Sequence, residues 1–359
     1  MATRFQANCL PVLIGSLPLQ DHHEALELVL RFTPEIPLWV QLPFYRHEGM
    51  VPQFTPGLPG LTGQAEKMRV DTSQSGFASE LIAFYEDYLA VTDGGAFMAE
   101  SRFALKPENA AGFFVLLERI ASLPNPPLAL KGQVTGPITF STAIKDQNER
   151  ALFYDVQLRE VAVKLLAMKA RWQVERLARF ELPVIIFIDE PGLAGFGSSE
   201  FISITRDEVR ACLDEVVQAI HAAGGLVGVH VCANTDWSLL LESEVDMVNF
   251  DAYSYFDRFV LYPEQINHFI KSGGVLAWGI VPTQNTADIE RETVSSLVAQ
   301  WHQKAAVLEA LGVERSALRA QSLLTPSCGT GSLSLDHARR VLKLTHEIAK
   351  TLRSENRFS

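Results

Sequence analysis

The chain has 359 residues, 47% of them hydrophobic and 20% charged, so it can bury a large core, and disorder as its main state is excluded. Its 31 basic residues against 42 acidic ones leave a formal charge of −11, which argues against a basic surface of the kind that binds nucleic acid or anionic lipid. No apolar run nears the roughly 20 residues that span a bilayer, and Met1 to Leu17 lacks a basic region followed by a signal-type apolar block, so a cytoplasmic protein with no membrane partner is expected.

Short apolar or β-branched runs alternate with helical patterns along the whole chain, which predicts a parallel sheet with helical crossovers. In chain order the expected elements begin with a strand over 10–15, a helix over 21–33 and a strand over 37–42. A helix over 107–123, a strand over 128–134, a helix over 151–180 and a strand over 184–189 follow. Then come a helix over 205–223, strands over 226–232, 247–251 and 275–281, a helix over 286–311, a strand over 322–326 and a helix over 336–353. Several of the strands are apolar on both faces, as strands covered on both sides should be. Eight strands with crossover helices predict a single (β/α)8 TIM barrel. Residues 44–76 are rich in Pro, Gly and Thr and show neither period, so they are expected as a long excursion after the second strand. With no repeat and no shift of composition, one domain over 1–359 is expected. An open doubly wound sheet is the competing fold, but no Gly-rich phosphate loop follows the first strand.

In such a barrel the reactive groups gather at the C-terminal ends of the strands. Four cysteines, Cys9, Cys212, Cys232 and Cys328, are too few for a disulfide framework, so any that matters is expected to be a ligand or a nucleophile. His230 and Cys232 are two apart, which on a strand points both side chains to one face. Cys328, from the end of the eighth strand, completes a set of one His and two Cys that suits tetrahedral Zn²⁺ with one replaceable position. Asp251, ending the strand after His-x-Cys, is the candidate fourth donor. Taken alone, a His-x-Cys tripeptide in a buried strand fits core packing better than a metal site. Glu242, Glu244 and Asp246 fit a solvated helix end better than a ligand role. Asp189 and Glu190 end an apolar strand, and adjacent strand residues point to opposite faces, so one faces the barrel mouth and the other caps or braces a neighbouring loop. Ser16 fits a site on the rim or an ordinary Gly-Ser turn.

Five motifs in order, Ile14-Gly15-Ser16, Thr135-Gly136-Pro137, Ile188-Asp189-Glu190-Pro191, His230-Val231-Cys232 and Ser327-Cys328-Gly329, resemble the C-terminal catalytic barrel of cobalamin-independent methionine synthase. The resemblance runs from about Pro11 to the last helix. The wider superfamily also holds uroporphyrinogen decarboxylase and methylcobalamin:thiol methyltransferases, all with (β/α)8 barrels. The resemblance implies that His230, Cys232 and Cys328 hold zinc, and that Ser16 and Asp189 hold the carboxylate and amino group of homocysteine. Gln41 joins them as a substrate-binding candidate. Asp189 and Cys232 are the implied catalytic residues.

The chain departs from the family at several positions. Asp251 stands where the family has a Glu ligand. Gly192-Leu193-Ala194-Gly195 offers no second acid, Trp278 to Thr283 offers no proton-donor His, and Phe140 to Ala143 lacks the Trp of the folate site. The length also leaves no room for the family's N-terminal barrel. The expected function is zinc-dependent methylation of a small thiol, homocysteine giving methionine, with a methyl-corrinoid, free or carried by a corrinoid protein, preferred as donor over methyltetrahydrofolate. Two alternatives stand beside it. One is a uroporphyrinogen decarboxylase-like enzyme, although Leu38 to Pro43 carries no arginine pair for propionates. The other is a non-catalytic zinc- and thiol-binding module.

Overall fold

A computed structural model of the chain describes residues 5–63, 67–93, 95, 98–196 and 204–355. Ten strands occur among them: β1 (Leu10–Pro11), β2 (Leu61–Thr62), β3 (Arg69–Val70), β4 (Leu130–Thr135), β5 (Lys145–Asp146), β6 (Val184–Asp189), β7 (Leu226–Val231), β8 (Met247–Phe250), β9 (Val275–Val281) and β10 (Ser322–Pro326). Seven of them form one parallel sheet in the order β1-β10-β9-β8-β7-β6-β4, and β2, β3 and β5 form a small separate sheet.

The large sheet is a seven-stranded half-barrel, and its ladder does not close into the eight expected. Residues 37–42, expected as the second strand, touch both sheet edges only through isolated bridges, Leu38 with Lys131 of β4 and Gln41 with Ser16 beyond β1. Two causes are visible. Pro37 and Pro43 bring no N–H to a ladder, and the Trp39 carbonyl accepts from the Gln133 side-chain amide (3.0 Å) instead of from a neighbouring backbone.

Alternation along the strands sorts side chains to two faces. Leu10, Ile185, Phe187, Met247, Val275, Ala277 and Leu323 pack together on the inner face. Val184, Ile186, Ile188, Val229, Val248, Leu276 and Leu324 pack outward against the helices. Both sets are buried, which explains why β4 and β6 are covered along their whole length. One step further along the inner face the apolar residues give way to Thr135, Asp189, His230, Asn249 and Thr325, all buried.

Helices begin where the sequence supplies caps. Asp21 accepts from the Glu24 N–H (2.8 Å) ahead of helix His22–Phe32, Asp155 accepts from Gln157 and Leu158 ahead of Val156–Leu177, and Thr205 with Glu208 forms a capping box at Arg206–Ala222. The helix expected over 286–311 is two, Thr286–Arg291 and Val294–Ala310, because Thr293 caps a new start through the Ser296 N–H. Helix Phe77–Thr92 was not foreseen in the sequence; it extends the excursion, which also contains β2 and β3. Residues 64–66 of that excursion lie outside the described residues. No helix of the described residues is long and apolar enough to cross a membrane.

Lys169 lies within the long helix Val156–Leu177, fully buried, and its Nζ has no hydrogen-bond partner among the described residues. Burial pushes its ammonium down to about 7, and the charge of Lys106 acts in the same direction. A folded-state value below the unfolded one means that the unfolded chain binds more protons between the two. Stability should therefore rise as pH rises from about 7 toward the ordinary lysine value, with the full cost present below 7. We expect Lys169→Met to raise unfolding stability at neutral pH by on the order of 2 kcal/mol and to flatten that rise, read by urea denaturation at about pH 6 and about pH 9.

Candidate functional site

His230 is the penultimate residue of β7, and Cys232 follows two positions later on the same face. Cys328 lies two residues beyond β10. The loop that carries it is fastened by its neighbour: the Ser327 N–H donates to the Val281 carbonyl (2.8 Å), and Ser327 Oγ accepts from the Thr283 N–H (3.1 Å). The outcome is a cluster in which the donor atoms of His230, Cys232 and Cys328 all lie within 4.8 Å of one another, a group that could hold a metal ion.

The imidazole is oriented from the next strand. Asn249 of β8 is in register with His230, and His230 Nδ1–H donates to Asn249 Oδ1. The Asn249 amide nitrogen is committed to the Ala277 carbonyl (2.7 Å) and Thr325 Oγ1 (2.8 Å), so its oxygen must turn toward the ring. In the neutral ring, with the proton on Nδ1, Nε2 carries the lone pair; it is buried and has no hydrogen-bond partner among the described residues. Leaving such an atom unpaired costs about 1–3 kcal/mol. A buried acceptor nitrogen facing two sulfurs is a soft NS₂ donor set, which fits Zn²⁺ with one position left for a substrate.

The two thiols are unequal. The Cys232 thiol is held well below its usual range by the hydrogen bond from Cys328, then by His230. Cys328, which donates that bond and is largely buried, is pushed well above its usual range. For His230, burial pushes downward, but the Cys232 sulfur and the Asp189 charge outweigh it and the net direction is up. With His230 pushed up and Cys232 pushed down, the fold favours a thiolate beside a protonated ring, whose Nε2 proton a bound metal ion would displace.

Asp251, expected as the fourth donor, is not part of this cluster. Its carboxylate is occupied: Oδ1 accepts from the Ser254 N–H (2.8 Å) and Oδ2 from the Gln284 amide (3.3 Å). The shorter Asp side chain folds back onto its own turn, and burial pushes its pKa up to about 6.

The other six candidates, Ser16, Gln41, Asp189, His230, Cys232 and Cys328, line one cavity of about 300 Å³. Asp189 reaches it from the inner face of β6, in register with His230. It is buried, its Oδ1 has no partner, and burial raises its pKa against the opposing charges of His230 and Lys131. Glu190 points the other way. Its carboxylate accepts from the N–H groups of Ile138 (2.5 Å) and Thr139 (2.9 Å) and from Thr139 Oγ1 (2.5 Å), capping helix Pro137–Ala143. Gly136 makes the approach possible, since a Cβ there would sit 2.2 Å from the Glu190 carboxyl carbon. Ser16 Oγ accepts from the Gly331 N–H (3.2 Å), and a Cβ on Gly329 would come within 2.3 Å of that oxygen. Gln41 donates to Gln53 Oε1 (2.5 Å), which ties the cavity wall to the excursion.

Three contributors escaped sequence reasoning. Asn249 left a signal, a carboxamide inside an otherwise apolar strand. Lys131 left a similar one; it is fully buried in β4, donates to the Ile14 carbonyl (2.5 Å) and lies 4.6 Å from the centre of the Phe187 ring. Glu48 left none, because it stands in the aperiodic excursion. It lines the cavity and accepts from the Leu42 N–H (2.9 Å) while paired with His22 (2.8 Å).

No family model matches the chain, and no curated protein does. Among solved structures the chain is similar to a GH5-4 broad specificity endoglucanase from Clostridium acetobutylicum. Identity is 11% and the TM-score 0.27, covering 60% of this chain and 85% of that one. An overlap that slight carries no argument about function.

If Asn249 sets the imidazole, Asn249→Ala should lower Zn²⁺ affinity about 10–100-fold in a chelator competition, whereas Asn249→Asp, which still accepts from Nδ1–H, should retain most of it. Cys232→Ser should abolish tight binding, and elemental analysis of the wild-type protein should find about one zinc per chain. Equal affinity in the wild type and Asn249→Ala would show that the ring needs no such support.

Proposed function

We propose that this chain is a zinc-dependent methyltransferase that methylates the sulfur of homocysteine or a closely related amino-acid thiol. We further propose that its fold is a (β/α)8 barrel whose second strand is reduced to bridges. The observation that carries the reading is the partnerless His230 Nε2 facing two cysteine sulfurs on the wall of a cavity that also holds Asp189 and Ser16. When bound by His230, Cys232 and Cys328, zinc would supply the charge that keeps a substrate thiol deprotonated at neutral pH.

The remaining roles fall to the chain's own side chains. Asp189 Oδ1, buried and unpaired, is placed to accept from a substrate ammonium, a charge-assisted bond strengthened by the dry surroundings. The Ser16 hydroxyl, whose oxygen accepts from the Gly331 N–H, would donate its proton to the substrate carboxylate. Lys131 sits behind Asp189 and favours its ionised form. Met50, Pro43 and Pro191 line the mouth of the cavity with apolar surface.

Transfer moves the methyl group to the substrate sulfur while the bonding pair stays on the donor. Of the titratable groups lining the cavity, two cysteines and His230 would be ligands, Asp189 would face the ammonium, and Glu48 is held by His22 and the Leu42 N–H. None is left to protonate an amine leaving group. A methyl-corrinoid, whose cobalt leaves as a stable reduced centre, therefore suits the site better than methyltetrahydrofolate. The lining contains no arginine, which weighs against a tetrapyrrole decarboxylase.

The zinc form is expected to transfer methyl from methylcobalamin to homocysteine faster than from methyltetrahydrofolate. Zinc and thiol binding without methylated product from either donor would mark a binding module, and a clear preference for methyltetrahydrofolate would overturn the donor assignment. Asp189→Asn should raise KM for homocysteine by about tenfold or more while sparing a thiol without an amine. Equal losses for both would make Asp189 a structural residue.

A further inference from the structure

A second cavity, of about 540 Å³, lies between helices Pro107–Ile120 and Val156–Leu177 and shares no lining residue with the metal-site cavity. Its walls include Arg102, Lys106, Phe114, Trp172 and Arg176. Trp172 is 3% exposed and packs on Phe113 and Phe114, yet its indole N–H has no acceptor among the described residues. Arg176, four residues on, has a buried Nε that also lacks one. Lys169 precedes Trp172 by three residues on the same helix face, with its ammonium buried and unpartnered.

Charge balance sharpens the point. Arg102 is neutralised by Asp87 (2.5 Å), and Glu100 is the one acid on the lining. No ion pair reaches Lys106, Lys169 or Arg176 among the described residues. Of the three only Lys169, which is not on the lining, is fully buried; Arg176 is half-buried and Lys106 exposed, and none is paired although the chain carries an excess of acids. The donors of Trp172 and Arg176 and the unpaired charges of Lys106 and Arg176 converge on one space.

We propose that this cavity binds a small oxyanion-bearing ligand of the phosphate or carboxylate class. Trp172 Nε1 and Arg176 supply hydrogen bonds, Lys106 supplies the counter-charge, and Phe114 forms an apolar wall. The site is independent of the methyltransferase reading, because nothing in it touches the cysteines.

Isothermal titration of the full-length protein with inorganic phosphate and with succinate tests it, with chloride at matched ionic strength as reference. Saturable binding of one anion per chain is expected. Lys106→Gln and Arg176→Gln, neither of which breaks an ion pair, should each weaken it about tenfold, and Cys232→Ser should leave it unchanged. Quenching of fluorescence that disappears in Trp172→Phe would place the anion at the indole. A response to phosphate alone or to succinate alone supports the site and identifies the ligand class. No saturable binding up to about 10 mM of either anion, an equal response to chloride, or unchanged affinity in both charge variants would overturn it.

Discussion

The hydrogen bond from His230 to Asn249 is the constraint around which the candidate site is arranged. It settles which nitrogen of the neutral imidazole carries the proton, and so which one faces the cysteines. That bond depends on two others, from the Asn249 amide to Ala277 and Thr325, which draw β9 and β10 into the same network. Parallel pairing makes the chain of contacts possible. Asp189, His230 and Asn249 occupy consecutive registered positions on β6, β7 and β8, so three side chains of different chemistry emerge side by side on the inner face. An apolar layer from Ile185, Phe187, Met247 and Leu323 lies beneath them and keeps the network dry.

The pair Asp189 and Glu190 shows how one residue of spacing divides two tasks. Both are buried carboxylates, but strand alternation sends Asp189 into the cavity and Glu190 toward the helices. Glu190 finds three donors at the start of helix Pro137–Ala143, against a burial that pushes its pKa up to about 7. Asp189 keeps an oxygen unpaired. A structural carboxylate in a folded protein is satisfied by its surroundings, whereas one that awaits a ligand is not. The same criterion separates Asp251, already bonded to its own turn, from the ligand cluster.

The excursion after residues 37–42 completes the cavity from outside the sheet. Gln41 reaches Gln53, Thr135 Oγ1 donates to the Met50 carbonyl (2.5 Å), and Glu48 holds the Leu42 N–H. These bonds fasten an aperiodic segment over the strand ends. They also link it to the part of the sheet where the ladder is interrupted.

Much of this was open to inspection in the linear chain. Seven of the eight expected strands follow from short apolar runs, and the shared face of His230 and Cys232 and the split between Asp189 and Glu190 from local alternation, properties of a few consecutive residues. Caps such as Asp21, Asp155 and Thr205 are equally local. What only the tertiary structure decided depends on residues far apart: whether Asp251 reaches the metal cluster, whether residues 37–42 form a ladder, and which nitrogen of His230 is free. Each turns on competition for hydrogen-bond partners, Ser254 and Gln284 for Asp251, Gln133 for the Trp39 carbonyl, and Asn249 for the imidazole. Residue type and spacing state what a side chain can do, but its partner is chosen by the strands and loops that folding sets beside it.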